Sequence, residues 1–283
     1  MLTCVLLSFG MPQTASEPTS KAPTKRQGDD LAVGATKRPL VVCVCLTKDR
    51  PQMLQRAIGC FRAQSYQRKR MLVFDTSDKP SLPESKNPQV GVIHATGMGY
   101  HGVGYLRNFT AACFGGKQPP EIIVHWDDDD YSHPERLAEQ VALLQASGKE
   151  CVGYREMLFW RTPIGEAWLY THGKPSYCLG TSLCYWRRVW EKRRFEDLKH
   201  GEDHAWLKGV DSLGVCRRVW ENERIDPQQV KQRNYIGDPR MIASIHGGNT
   251  SPAYQHLEAC ERQGEKWKRV PTWDDYCRRT MEA

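Results

Sequence analysis

The chain has 283 residues, 40% hydrophobic and 26% charged, the composition of an ordinary soluble protein with one large domain or two small ones. No run of about 20 apolar residues is present, which excludes a membrane-spanning helix. Its 40 basic and 33 acidic residues leave a net charge of +7, with one local cluster at Arg187-Arg188 and Lys192-Arg193-Arg194. Such a surface favours acidic partners (nucleotides, nucleic acid or anionic membrane) without choosing among them, and the plainest reading of the cluster is a solvated basic face.

Met1 to Met11 carries only Val5-Leu6-Leu7 as an apolar stretch, with no basic segment before it, which argues against a signal peptide. From about Pro12 to Arg38 the chain is rich in Pro, Ser, Thr and Lys and lacks periodicity, so residues 1–38 read as a disordered arm. Leu40 to Leu46 predicts a strand buried on both faces, with Cys43 and Cys45 facing the same way into a core. The eleven cysteines include no C-x-x-C pair, which argues against zinc or a disulfide framework. Free thiols in a reducing cytosol fit better, and a cytoplasmic protein is expected.

Pro51 suits a helix first turn, and Met53, Leu54, Ala57, Ile58 and Phe61 follow at helical spacing. Met71–Phe74 and Val90–Ile93 read as further strands, Tyr105–Phe114 as a short helix, and Ile122–Trp126 as a fourth strand. Ser132-His133-Pro134-Glu135 matches a capping box ahead of an apolar stripe at Leu137, Val141 and Leu144. This alternation predicts a parallel sheet covered by helices, with ligands beyond the strand C-termini. In the second half, Val152–Trp160 and Ala167–Tyr170 flank Pro163-Ile164-Gly165 as a hairpin. Thr181–Trp186 reads as a strand, Asp203–Val210 as a helix, and the residues from Pro252 onward as a polar helical tail.

The most informative feature is the run Asp127 to Asp130, directly after that fourth strand. Adjacent carboxylates repel one another unless something cationic sits among them. Hard oxygen donors at a strand end suit Mg²⁺ or Mn²⁺, and such ions usually hold a phosphate as well. Gly97-x-Gly99-x-x-Gly102 matches a dinucleotide fingerprint but follows the third strand, and a run of acids ends the next strand where that fingerprint needs one acid. A glycine loop near the active site is the better reading.

Taken in order, these signals resemble a family 2 glycosyltransferase with a GT-A fold, from about Val41 to Ser251. Leu46-Thr47-Lys48-Asp49-Arg50-Pro51 is similar to that family's first strand-to-helix turn, and Ala63-Gln64-Ser65-Tyr66 to the end of its first helix. Leu106-Arg107-Asn108 resembles its Ala-Arg-Asn segment. Trp126-Asp127-Asp128-Asp129-Asp130 with His133-Pro134 resembles its DxD region, Gly201-Glu202-Asp203-x-x-Trp206 its Glu-Asp motif, and His246-Gly247-Gly248-Asn249-Thr250-Ser251 an ending of some members. Asp75-Thr76-Ser77 departs from the usual Asp-Asp-Gly, which weakens the base contact.

The resemblance implies an α/β, Rossmann-like fold, a mostly parallel sheet flanked by helices with an acceptor-side subregion containing the β-hairpin. It implies a domain over 39–251, with a nucleotide-sugar half at 39–150, an acceptor half at 151–251, and a helical tail at 252–283. It further implies metal-dependent transfer of a sugar from a nucleotide sugar, UDP-sugar favoured, to an acceptor hydroxyl with inversion. Asp127 and Asp129 would bind Mn²⁺ or Mg²⁺, with His246 as a further ligand. Asp203 would be the base and Glu202 its fallback. Thr47, Arg50, Asp75, Arg107 and Asp128 would position the donor, and Trp206 and Trp186 are candidates to stack on an acceptor sugar, core packing being the commoner role of a tryptophan. The acceptor is a glycan, a lipid-linked sugar or, given the basic balance and the Lys and Arg of the arm, a modified base in DNA. Two rival readings stand: a non-catalytic nucleotide- or carbohydrate-binding module, and a dinucleotide oxidoreductase.

Overall fold

The computed structural model describes residues 38–82, 88–114, 118–216, 239–249, 257–262 and 266–282. The arm expected over 1–38 lies outside them, apart from Arg38. Strand β1 (Val41–Thr47) pairs in parallel with β2 (Lys69–Asp75) and with β4 (Ile122–His125), and β2 pairs in parallel with β3 (Val90–His94). All these strands therefore end on the same edge. The unbroken β-branched and apolar run of β1 follows from burial on both faces. Val41, Cys43 and Cys45 enter one core with Leu54, Ala57, Ile58 and Phe61 of α1 (Pro51–Arg62) and Leu137, Val141 and Leu144 of α3 (Arg136–Ser147). Val42 and Val44 enter the opposite core with Ala111 of α2 (Val103–Ala112), Trp190 of α4 (Arg187–Lys192) and Trp206 of α5 (Glu202–Leu207). Each fully buried Leu, Val or Phe here contributes about 1.5–3 kcal/mol.

The capping box is not formed. Helix α3 begins at Arg136, without a side-chain cap. Ser132 belongs instead to a two-residue strand, β5 (Tyr131–Ser132), paired with β10 (Met241–Ile245). Its hydroxyl accepts a 2.8 Å hydrogen bond from the Arg136 guanidinium rather than from a helix N–H. A long-range strand pairing has claimed the residue that local pattern assigned to the helix.

The second half is organised by β6 (Cys151–Arg161). Its far half pairs antiparallel with β7 (Glu166–Thr171), making the expected hairpin, and in parallel with β10. Its near half pairs with β8 (Cys184–Trp186) and in parallel with β9 (Ser212–Cys216). Antiparallel pairing of β8 with β4 joins the two halves into one sheet. The strand expected over Thr181–Trp186 is shortened to β8, because Gly180–Ser182 forms a 3₁₀ turn held by the Ser182 hydroxyl on Leu179 O at 2.7 Å. In the expected helical tail, α6 (Leu257–Arg262) and α7 (Asp274–Met281) flank a strand, β11 (Trp267–Arg269), which pairs with β7. Cys277 and Met281 pack on Leu158, Trp160 and Ile242, so α7 covers the sheet. Among the described residues no helix is long and apolar enough to cross a membrane.

Candidate active site

The C-terminal ends of β1, β2 and β4 open into a cleft of about 430 Å³. Asp127 to Asp130 form one wall, Lys48, Arg50, Arg107 and Lys199 line it with positive charge, and Thr47, Thr76, Thr181 and Ser244 add hydroxyls. The β1–β4 register sets Val44 beside His125. Continued past the strand ends, it sets Thr47 beside Asp128, and the Thr47 hydroxyl donates to Asp128 Oδ2 at 2.6 Å.

Each aspartate has its own partner. Asp127, the most open, has Oδ1 3.4 Å from Arg107 Nη2. The Arg50 guanidinium bridges Asp128 Oδ1 at 3.1 Å and Asp129 Oδ2 at 3.0 Å, and donates to Gly248 O at 3.1 Å. His246 Nε2 also meets Asp129 Oδ2, at 2.9 Å. Asp130 accepts from the Thr181 hydroxyl and from Ser244 N–H, tying the acidic run to β10. The cations that the repulsion argument demanded are thus supplied by Arg50 and Arg107. A third, the fully buried Arg136, lies behind the cluster, stacked 4.8 Å from the Trp126 ring centroid and donating to His125 O and Thr181 O.

Burial, reinforced by Asp129, pushes the Asp128 carboxyl up to about 7 despite Arg50 and Thr47. Burial, and then the charges of Asp129 and Asp127, also hold the Asp130 carboxyl well above its ordinary value. Burial opposes the charge on Arg107, but Asp127 and Glu202 outweigh it and raise its pKa. The Arg107 Nη1 and Nε atoms are buried and without a hydrogen-bond acceptor among the described residues. Nε lies 3.4 Å from Glu202 Oε1, so one guanidinium spans Asp127 and Glu202.

Glu202 and Asp203 open α5, entered through Gly201 at φ 75°, a left-handed conformation suited to glycine. Glu202 is buried against Arg107, and that burial, more than the neighbouring Asp203, raises its pKa. Asp203 is half-buried and lies beside Gly180; a Cβ added at Gly180 would meet Asp203 Oδ2 at 2.1 Å. The next residue, Thr181, lines the cleft. The structure therefore gathers Thr47, Arg50, Arg107, Asp127, Asp128, Asp129 and His246 at one place, whereas Asp203 is not among the residues that line the cleft and lies against Gly180, next in the chain to the lining Thr181.

Three expected residues sit elsewhere. Asp75 is fully buried; Oδ1 accepts from Ser77 N–H at 3.0 Å and Oδ2 from Ser81 N–H at 2.6 Å. Its carboxylate pins its own loop, and Thr76 is the residue that faces the cleft. Trp206 is 1% exposed, stacks on Phe195 at 4.9 Å and donates to Arg193 O, so it is core and presents no face to a sugar. Trp186 pairs with Ile122, the first residue of β4, at the end of that strand remote from the aspartates, and Arg188 covers its ring. The glycine loop does lie at the cleft, where Gly99 is one of the lining residues, while Gly102 and Gly104 are close packing positions. A Cβ at Gly104 would lie 1.8 Å from Glu196 O, and one at Gly102 would lie 2.6 Å from Leu198 O. Sequence reasoning missed Lys48, Thr181, Lys199 and Ser244, which carry no motif of their own.

Among the described residues no three His, Cys, Asp or Glu side chains are arranged as a metal centre. The donor chemistry of Asp129 and His246, whose Oδ2 and Nε2 lie 2.9 Å apart, suits a hard divalent ion, while the Asp127 carboxylate faces Arg107.

No family model and no curated protein sequence matches the chain. Solved structures do. Residues 1–349 of S. aureus TarS in complex with UDP-GlcNAc match with TM-score 0.50 at 14% identity, over 74% of this chain and 60% of that one. TarS in complex with UDP matches with TM-score 0.49 at 14% identity, over 76% and 62%. The mannosyltransferase PcManGT from Pyrobaculum calidifontis, in complex with GDP-Man and Mn²⁺, matches with TM-score 0.48 at 14% identity, over 64% and 55%. The chain thus spans about three-fifths of the length of the TarS chains it matches. The fold expected from the sequence, the α/β GT-A fold, is the fold found.

Proposed function

We propose that this protein is a nucleotide-sugar-dependent glycosyltransferase. The observation that carries the reading is the cleft itself: at the C-terminal edge of a parallel sheet, a row of carboxylates interleaved with Lys48, Arg50, Arg107 and Lys199. That mixture suits a diphosphate together with a divalent ion better than it suits a neutral ligand. The fold adds support, since TarS takes UDP-GlcNAc on the same architecture, and a UDP-sugar is the favoured donor. The domain division at 39–150 and 151–251 follows the same logic, with β1–β4 holding the nucleotide and the β6–β10 half facing the acceptor.

Asp127 and Asp129, with His246, would hold Mn²⁺ or Mg²⁺, which when bound neutralises charge on the leaving diphosphate. Arg107 and Lys199 donate to phosphate oxygens, and Arg107 keeps its Nη1 without an acceptor among the described residues. Thr47 and Arg50 fix Asp128 and Asp129 in place. In the transfer, the acceptor oxygen forms a bond to the anomeric carbon, and the bond from that carbon to the phosphate oxygen breaks. The diphosphate departs with the electron pair, and the acceptor hydroxyl proton passes to Asp203. Asp203 is preferred to Glu202 because Glu202 is engaged by Arg107. Attack from the face opposite the leaving group inverts the anomeric centre.

The test is thermal melting of the full chain with a panel of nucleoside diphosphates, each with and without Mn²⁺. The expected result is a metal-dependent rise with one nucleotide, lost in Asp127→Ala and Asp129→Ala. No rise with any nucleotide, or a rise with NAD and no metal, would overturn the reading. A non-catalytic binding module would show the same rise but no turnover to lose in Asp203→Asn.

A further inference from the structure

The basic cluster of the sequence has no part in the mechanism above. Helix α4 sets Arg188 and Lys192 four residues apart on its exposed face. Two guanidiniums are pinned on indoles: Arg188 lies 4.6 Å from the Trp186 ring centroid, and Arg194 lies 3.4 Å from that of Trp190. Stacking pre-orders a long side chain and leaves its in-plane N–H groups for an anion. The acids of this stretch are largely engaged. Glu191 pairs with Arg187 at 2.8 Å and Asp197 accepts from Gly102 N–H at 2.8 Å, which leaves the exposed Glu196.

The cations lead to the cleft. From Arg194 the chain needs five residues, at most about 17 Å, to reach Lys199, and Lys199 and His200 line the cleft. There it abuts the 97–102 loop and the start of α2, with Gly104 N–H donating to Leu198 O at 3.4 Å. On that loop Tyr100 is 71% exposed. Its ring lies 4.1 Å from His101, which stacks on Tyr105 at 3.9 Å and 13°. The basic segment is thus followed in the chain by Lys199 at the cleft, beside a loop that exposes Tyr100.

We propose that this surface binds a single-stranded nucleic acid, with Arg188, Lys192 and Arg194 on its phosphates and Tyr100 against a base. Cations interleaved with an exposed aromatic are the pattern that holds unpaired strands, because every base has a stacking face. A duplex offers Tyr100 no free base. The strand would lie where an acceptor must enter; that last step rests on the glycosyltransferase reading, whereas the binding does not.

The test is fluorescence anisotropy of a labelled mixed-sequence DNA oligonucleotide with the full chain, titrated across salt. Replacing Arg188, Lys192 and Arg194 together by Ala should reduce the slope of log affinity against log salt by about 2. Tyr100→Ala should weaken binding by about tenfold and leave the slope unchanged. The basic residues of 1–38 contribute to the absolute slope, so the difference between variants carries the assignment. Since Arg188 and Arg194 also pack on tryptophans, Lys192→Glu serves as the variant that spares the fold, and it too should weaken binding and flatten the slope. Equal slopes in wild type and the charge variants, unchanged affinity of Tyr100→Ala, tighter binding of the matching duplex, or binding to phosphatidylserine vesicles but not to the oligonucleotide would overturn the proposal. The nucleotide melting shift is read separately: its absence in a strand-binding wild type removes the glycosyltransferase reading and leaves strand binding standing.

Discussion

The two acidic motifs of the cleft are built in opposite ways. Asp127–Asp130 follows a strand buried on both faces, and each carboxylate is met by a partner from a different part of the chain: Arg107, Thr47, Arg50, His246, Thr181 and Ser244. Glu202–Asp203 opens a short helix whose other buried residues, Trp206 and Leu207, are core. There one acid is held by Arg107 and the other stands against a glycine. The first motif is a crossing point of the fold, where four like charges are tolerated because cations converge on them. The second is an appendage that gains its position from packing behind it. Loss of charge should therefore act on stability at Glu202, which Arg107 holds, and on chemistry at Asp203 beside it.

Replacing Asp203 by Asn should break the comparison most visibly. Transfer falls by about 10²–10⁴-fold, the range for a lost general base, while the nucleotide melting shift stays intact. Glu202→Gln, one residue away, should instead cost on the order of 2 kcal/mol of stability by weakening the partner of a buried guanidinium, as read by denaturant unfolding. Equal kinetic effects of the two would erase the distinction drawn between them.

Trp206→Ala follows, expected to cost about 3–5 kcal/mol because it empties a core site. Trp186→Ala, at a half-buried ring, should cost less. Asp130→Ala comes next, at about 1–3 kcal/mol, because it leaves the buried Ser244 N–H without an acceptor. The last effect concerns pH. The Asp128 carboxyl lies at about 7 in the folded protein, against an ordinary value of 3.8. The folded state thus holds the extra proton between those values, and the contribution of Asp128 makes stability fall as pH rises from about 4 to 7. Asp128→Asn should flatten that decline in melting temperature; an unchanged profile would show that Asp128 does not titrate there.

The same contrast explains what was legible in the sequence. β1, β2 and β4 were readable because burial on both faces leaves an unbroken apolar run, and the acids at the end of β4 mark where burial stops. Arg50 and Arg107 were found through motif likeness, but their bridging of Asp128–Asp129 and of Asp127–Glu202 depends on distant segments meeting. Ser132 was misassigned because a capping pattern is local, whereas pairing with Met241 spans more than a hundred residues. Trp206 was read as an acceptor platform because an indole beside an acidic pair carries no mark of burial; Phe195 and Tyr185, which cover it, come from outside its helix. β11 is too short to show alternation, so the C-terminal segment read as helix throughout.

The most direct test of the central claim is release of nucleoside diphosphate from a panel of nucleotide sugars by the full chain with Mn²⁺, comparing wild type, Asp127→Ala and Asp203→Asn. The account predicts turnover of one donor by wild type, no binding or turnover in Asp127→Ala, and binding without turnover in Asp203→Asn. Undiminished release by Asp203→Asn, or donor binding that survives in Asp127→Ala, would contradict it.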